Sequence, residues 1–266
     1  MKTRIITAIV ALLIFIPILI FGELTLVGPI TLFSLAMAVL SAVGAFEAVK
    51  CTGEEKNLFF APVYAVAFAL PLLNASHLGA YTPTFIVLVF YLLFTGVLNN
   101  SKITADKVLV AFALTFYVTA SFGSLTVLFT KGTLLFPLVF VGAWVTDTFA
   151  YFSGYFLGKH KLIPAVSPKK TVEGAIGGSL ATTITYGVYG WFMTHDLKLT
   201  LILTIVGLVA SVVSQLGDLS ASLIKRHYGI KDYGNLFPGH GGVLDRFDSI
   251  LAVSAFLYVV SLFVKF

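Results

Sequence analysis

Residues 108–128 read Val-Leu-Val-Ala-Phe-Ala-Leu-Thr-Phe-Tyr-Val-Thr-Ala-Ser-Phe-Gly-Ser-Leu-Thr-Val-Leu, a run without a charge. A helix rises about 1.5 Å per residue, so this stretch is long enough to cross roughly 30 Å of bilayer hydrocarbon. Comparable apolar runs lie on either side of it. They fall near residues 5–21, 24–46, 58–73 and 80–98 before it, and near 133–157, 172–194, 199–217 and 249–264 after it. The third is short and contains Pro62 and Pro71, so its ends are poorly defined. The expected fold is all-α: a polytopic integral membrane protein with about nine transmembrane helices.

Composition agrees with that reading. Of the 266 residues, 58% are hydrophobic and 11% charged, whereas soluble domains carry about 25% charged residues. A soluble chain of this size has no interior large enough for so much apolar surface. The single cysteine, Cys51, excludes a disulfide framework and a cysteine zinc cluster. The five histidines show no paired metal-binding spacing. Lys2 and Arg4, followed by apolar Ile5 to Phe21, look like a secretory signal. No small-residue cleavage site follows, so the stretch reads as a retained first helix.

Charge placement sets the expected orientation. With the amino terminus in the cytoplasm, 14 of the 17 Lys and Arg residues face the cytoplasm; Lys131, Lys198 and Lys265 face outward. That bias follows the positive-inside rule and puts the carboxyl terminus outside. Residues 1–130 then hold about five helices. Residues 131–266 form a carboxyl-terminal catalytic region, with cytoplasmic loops at 158–171 and 218–248. Long polar loops in a membrane chain are where function is sought.

Glu47, Asp147, Glu173 and Asp218 fall within or beside predicted spans. A carboxylate at mid-bilayer costs at least ~2.5–3.5 kcal/mol on insertion scales, so each needs a partner or a purpose. Helical spacing puts Trp144, Asp147, Tyr151, Gly154 and Gly158 on one face, which reads as a polar, closely packed interior stripe. Further on, Ser167 is a plausible helix N-cap with Pro168 at the first helical position, leaving Lys169 and Lys170 in the first turn. Cations there oppose the helix dipole unless an anion docks at that end, although lysines at a cytoplasmic helix end also serve as plain topology anchors.

The densest polar segment is 218–248. Asp245 and Asp248 are three apart, so a helix sets their carboxylates side by side, and with Asp218 they offer the hard oxygen ligands that Mg²⁺ takes when it also holds phosphates. Gly239-His240-Gly241-Gly242 permits a sharp turn whose amides can form an anion nest. Lys225, Arg226, Lys231 and Arg246 add fixed positive charge. Metal, cationic clamp and backbone donors are what phosphoryl chemistry needs. The bland alternative is a solvated, charged loop with a glycine-rich turn.

Ser222, Ile224, Lys225, Arg226, Lys231, Asp232, Gly234, Phe237, Pro238, His240, Gly241, Gly242, Val243, Asp245, Arg246, Phe247 and Asp248 form a pattern. It resembles the signature of the phosphatidate cytidylyltransferase (CDP-diacylglycerol synthase) family. The stretch from Asp147 to Gly158, and Ser167-Pro168-Lys169-Lys170-Thr171 with Glu173-Gly174, are similar to that family too. Val172 departs from it, where an aromatic residue is expected. The resemblance is strong over the carboxyl-terminal half and generic over the first 130 residues.

The resemblance implies that CTP and phosphatidate give CDP-diacylglycerol and pyrophosphate with Mg²⁺, and leaves room for a second cation, K⁺ or Mg²⁺. It also implies a homodimer in a prokaryotic cytoplasmic (inner) membrane, with its site facing the cytoplasm and open to the bilayer. Asp218, Asp245 and Asp248 are then the expected metal ligands, with His240 and Asp147 beside the reaction. Lys169, Lys170, Glu173, Ser222, Lys225, Arg226, Lys231, Asp232, Gly241, Gly242 and Arg246 are the expected substrate contacts. The rival readings are another CTP-dependent lipid-modifying enzyme and a secondary transporter. Against the transporter, the charged residues gather at one membrane face and no inverted repeat is visible.

Overall fold

In a computed structural model the protein is described over residues 2–73, 81–98, 103–132 and 134–264. Lys102 and Lys265, which entered the charge count, lie outside these residues. The described elements are helices α1 (Lys2–Ile20), α2 (Leu32–Cys51), α3 (Ala61–Leu73), α4 (Tyr81–Leu98), α5 (Ala105–Thr130), α6 (Leu135–Leu157), α7 (Val172–Thr194), α8 (Leu197–His227) and α9 (Leu244–Phe263). Two short hairpins join them, β1 (Thr25–Val27) with β2 (Ile30–Thr31), and β3 (Lys161–Ile163) with β4 (Ser167–Thr171). Among the described residues, α2, α5, α6, α8 and α9 are long and apolar enough to cross a membrane. The chain is therefore a largely helical membrane protein.

The chain divides into two units, 1–130 with 228–246, and 131–227 with 247–266. In the first, α2 opens on a capping box. Thr31 Oγ1 accepts the Ser34 N–H at 3.2 Å and Ser34 Oγ accepts the Thr31 N–H at 2.9 Å, satisfying two amides that a helix start leaves unpaired. Phe33 stacks on Phe129 at 4.0 Å, and eleven residues along α2 Gly44 faces Val118, eleven residues back along α5. The two helices therefore run antiparallel. An apolar core of Val49, Phe60, Val63, Leu88, Leu92 and Val108 ties α3, α4 and α5 together.

The second unit is packed through small residues. Gly154 of α6 meets Gly174 of α7, Ala150 meets Gly178, and the hydroxyls of Thr146 and Thr182 lie 2.7 Å apart. Each step of four back along α6 matches a step of four forward along α7, the small-x-x-x-small geometry that lets membrane helices approach closely. Tyr186 and Tyr189 donate to the carbonyls of Leu138 (2.6 Å) and Leu134 (3.1 Å). Gln215 fastens α8 to α7 through Ser179 Oγ at 3.1 Å. The outward face of α7 carries Ile176, Leu180, Ile184 and Val188, all exposed, while Gly174, Gly178, Thr182 and Tyr186 are buried. Small and polar inside with large and apolar outside inverts a soluble protein, as a lipid solvent requires.

Three expectations need correction. Helix α7 starts at Val172, not near Pro168. Thr171 is its cap, accepting the Gly174 N–H at 3.1 Å. Ser167 to Thr171 pair with β3 instead, so Lys169 and Lys170 lie on a strand; proline fits such a strand because the edge needs no donor. Second, the segment expected as a loop from Asp218 is helical through His227. Lys225, Arg226 and His227 occupy the last turn, where cations favour the helix dipole, and Gly229 at φ +66° follows. Third, the Trp144–Gly158 face is interior only at its glycine end. Trp144 and Tyr151 are exposed, whereas a Cβ on half-buried Gly154 would press on Thr171.

Candidate active site

Within the second unit, α6, β4, α8 and α9 bring together residues far apart in sequence. Lys170 Nζ lies 2.7 Å from Asp218 Oδ2, with side chains 25% and 29% exposed, so this pair is largely withdrawn from solvent. Ser222, one turn along α8, donates to Asp218 Oδ1 at 3.4 Å. Asp147 is within electrostatic reach of Asp218 and Lys170. Asp248 is within reach of Asp218, Asp147 and Lys225, and its Oδ1 accepts the Ser249 N–H at 2.8 Å. Asp147 lies open to solvent on one side yet has protein packed around most of it, as expected of a side chain in a pocket wall.

The donor set can be tested for a metal. Among the described residues, no three His, Cys, Asp or Glu side chains stand close enough to grip an ion as they are. Charge balance nevertheless favours one. Asp147, Asp218 and Asp248 face one another with Lys170 and Lys225 as neighbouring cations, so three acids meet two bases in a half-exposed cluster. Like charges in such a place repel, and a divalent cation with oxygen preference relieves this.

Glu173, expected at the substrate, closes the neck of the β3–β4 hairpin. Its carboxylate accepts the amides of Lys159 at 3.1 Å and His160 at 3.2 Å, and lies 2.6 Å from His160 Nδ1. The hairpin that carries Lys169 and Lys170 is thus anchored by an acid on α7, with Lys169 exposed and Lys170 turned inward.

The first unit holds the remaining expected residues. Phe237-Pro238-Gly239-His240 is a tight turn closed by the His240 N–H donating to the Phe237 carbonyl at 2.8 Å; proline second and Gly239 at φ +77° third mark type II. Asp245, 9% exposed, accepts the amides of Tyr233 at 2.7 Å and Gly242 at 2.9 Å through Oδ2. The Gly242 amide is therefore directed at Asp245 rather than outward as a nest would place it. The Gly241 carbonyl accepts the Phe237 N–H at 2.9 Å. His240 Nδ1 is buried without a hydrogen-bond partner, while Arg246, Lys231 and Asp232 are exposed.

One acid singled out by its membrane setting had no role assigned from sequence. Glu47 of α2, 3% exposed, accepts the amides of Val243 at 3.0 Å and Leu244 at 2.9 Å. The only sequence signal for it was a lone carboxylate in an apolar helix.

A family model described as the cytidylyltransferase family matches residues 2–264. The chain is also similar to proteins named phosphatidate cytidylyltransferase. It is 35% identical to that of Staphylococcus haemolyticus and 36% identical to that of Staphylococcus epidermidis, with 98% of each chain covered in both cases. The apolar helices, the acid–lysine cluster and these likenesses together make the chain a member of the cytidylyltransferase family.

Proposed function

We propose that the chain is a CTP:phosphatidate cytidylyltransferase. A phosphate oxygen of phosphatidate attacks the α-phosphorus of CTP, the bond to the β-phosphate oxygen breaks, and CDP-diacylglycerol and pyrophosphate result. The observation that carries this reading is the pairing of Lys170, on strand β4, with Asp218 among Asp147, Asp248 and Lys225, on helices that also carry lipid-facing residues. A soluble nucleotide and a membrane lipid must meet where polar groups and bilayer-spanning helices coincide.

Phosphatidate is already an anion, so the chemistry needs charge relief and in-line placement more than a base. Mg²⁺, when bound, would supply charge relief and Lewis-acid stabilisation of the leaving pyrophosphate. Asp218, Asp248 and Asp147 would hold it, with Asp245 the further expected ligand and K⁺ or a second Mg²⁺ alongside. Lys170, Lys225, Arg226, Lys231 and Arg246 bind phosphates, and Ser222 fixes the Asp218 carboxylate. His240 turns its unpartnered ring nitrogen to a phosphate. Glu173 acts at one remove, through the hairpin that carries Lys169 and Lys170.

The same reading assigns nine membrane crossings with the amino terminus in the cytoplasm and the carboxyl terminus outside, a bacterial cytoplasmic membrane and a homodimer. The charge bias along the sequence supports the orientation. The test is transfer of label from CTP into a chloroform-soluble product by purified protein. The expected result is labelled lipid only when CTP, phosphatidate and Mg²⁺ are all present. Folded protein that forms none across several acyl chains, with K⁺ supplied, overturns the reading.

A further inference from the structure

Glu47 is nearly inaccessible, yet its hydrogen-bond partners are two backbone amides, with Lys50 in electrostatic reach. A buried carboxylate is tolerated when hydrogen-bond donors replace its lost water. Here the donors belong to the start of a helix distant in sequence. The first amides of a helix have no partner within it, and a negative charge at that end is favoured by the helix dipole. Glu47 thus acts as an N-terminal cap for α9, supplied from α2.

Three further features of the first unit fix the same loop. A Cβ at Gly242 or at Gly234 would collide with Glu47 Oε1, so the two glycines let both limbs of the 233–244 loop close onto it. Gly44, one turn earlier on α2, lies where a Cβ would come within 3.3 Å of the Leu244 side chain. Asp245 holds the loop from the other side through the amides of Tyr233 and Gly242. Three successive amides, Gly242 to Leu244, are thus held by two carboxylates, and Asp245 and Arg246 follow directly.

We infer that Glu47 is a positioning residue for the reaction: it sets the first turn of α9, and with it the orientation of Asp245 and Arg246, without touching substrate. The inference rests on the cytidylyltransferase reading. Groups that orient a ligating shell typically influence affinity or activity by ~10–100-fold. Gln offers one acceptor oxygen and turns an N–H₂ toward the second amide, whereas Asp keeps both oxygens one methylene short.

The experiment compares wild type, Glu47→Gln and Glu47→Asp by CTP and Mg²⁺ titrations of lipid labelling, with amide hydrogen exchange of residues 233–246 measured on the wild type. For Glu47→Gln, kcat is expected to drop about 10–100-fold and the Mg²⁺ concentration for half-activation to rise about 10-fold, with the KM for CTP changed less. Glu47→Asp restores part of the loss. In the wild type the Val243 and Leu244 amides exchange most slowly in the loop. Folded Glu47→Gln protein with wild-type kcat and Mg²⁺ dependence overturns the inference. So does fast exchange at Val243 and Leu244, which is read even where the variants do not fold. Wild-type protein without activity but with slow exchange would instead discard the cytidylyltransferase reading and leave the cap standing.

Discussion

The two units treat their acids in opposite ways. In the first, Glu47 and Asp245 each accept two backbone amides, so their charge is matched by fixed dipoles. In the second, Asp147, Asp218 and Asp248 face one another, with Lys170 as the near cation. An acid satisfied by amides holds a loop in shape. Acids gathered around one another are kept at a cost in stability, and the usual reason is a ligand that completes them. Under the cytidylyltransferase reading, the amide-matched acids hold the loop in shape and the clustered acids face the substrates, with Asp245 the one acid given both tasks.

The largest expected effect breaks the second set. Asp218→Asn removes a charge from the cluster while leaving an oxygen for Lys170. Turnover is expected to drop by roughly 10²–10³-fold, the scale of losing one preorganised electrostatic contact. The thermal midpoint should stay level or rise, because repulsion among the acids is relieved. An unchanged turnover rate, measured by labelled lipid formation, would remove Asp218 from the reaction.

Asp245 sharpens the comparison, because shape and charge can be separated there. Asn retains an oxygen that can accept both the Tyr233 and Gly242 amides, so Asp245→Asn should fold with nearly wild-type stability yet lose turnover. Asp245→Ala strands two buried amides at about 1–3 kcal/mol each and should lower the denaturation midpoint as well. Equal stability of the two variants in a melting experiment would contradict the bracing role.

Glu173→Gln tests the hairpin anchor. Loss of the charge weakens its bonds to the amides of Lys159 and His160 and to the His160 ring. The expected result is a rise in KM for CTP of about 3–10-fold, because charge-assisted bonds are the stronger ones. A KM equal to wild type would detach the hairpin from substrate binding. The smallest effect belongs to an ion pair outside both sets. Lys107 Nζ and Glu54 Oε1 are 2.9 Å apart, with the Lys107 side chain 35% exposed. Lys107→Met should change stability by no more than ~1 kcal/mol and turnover not at all. A larger loss would mean that amide-matched and cluster acids are not the only ones that matter.

Much of this fold was legible because a membrane leaves the backbone few choices. Long apolar runs favour helices, and α4, α5, α6 and α7 stand close to where those runs lie, whereas the run at 24–46 opens on the β1–β2 hairpin and turns helical only at Leu32. The ends were less legible. Helix α8 carries Asp218, Ser222, Lys225 and Arg226 out of its apolar run, and a polar helix surface has the composition of a loop. The β3–β4 hairpin was missed because its pairing depends on Thr171 fitting against Gly154 and Gly158, a tertiary condition that local propensity does not contain. Within the site, Lys170 and Asp218 were singled out on separate grounds, and the structure pairs them. Glu47 carried no motif at all. Its role depends on amides about two hundred residues away, which no local pattern reveals.

The central claim is that the cluster of Asp147, Asp218, Asp248 and Lys170 is where metal and nucleotide bind. Calorimetric titration of Mg²⁺ and CTP into purified wild-type and Asp218→Asn protein tests it most directly. Measurable Mg²⁺-dependent CTP binding by the wild type, weakened at least about 10-fold in the variant, is the result expected of a ligating or ligand-orienting carboxylate. Equal affinity in the two folded proteins would place the nucleotide elsewhere and contradict the account.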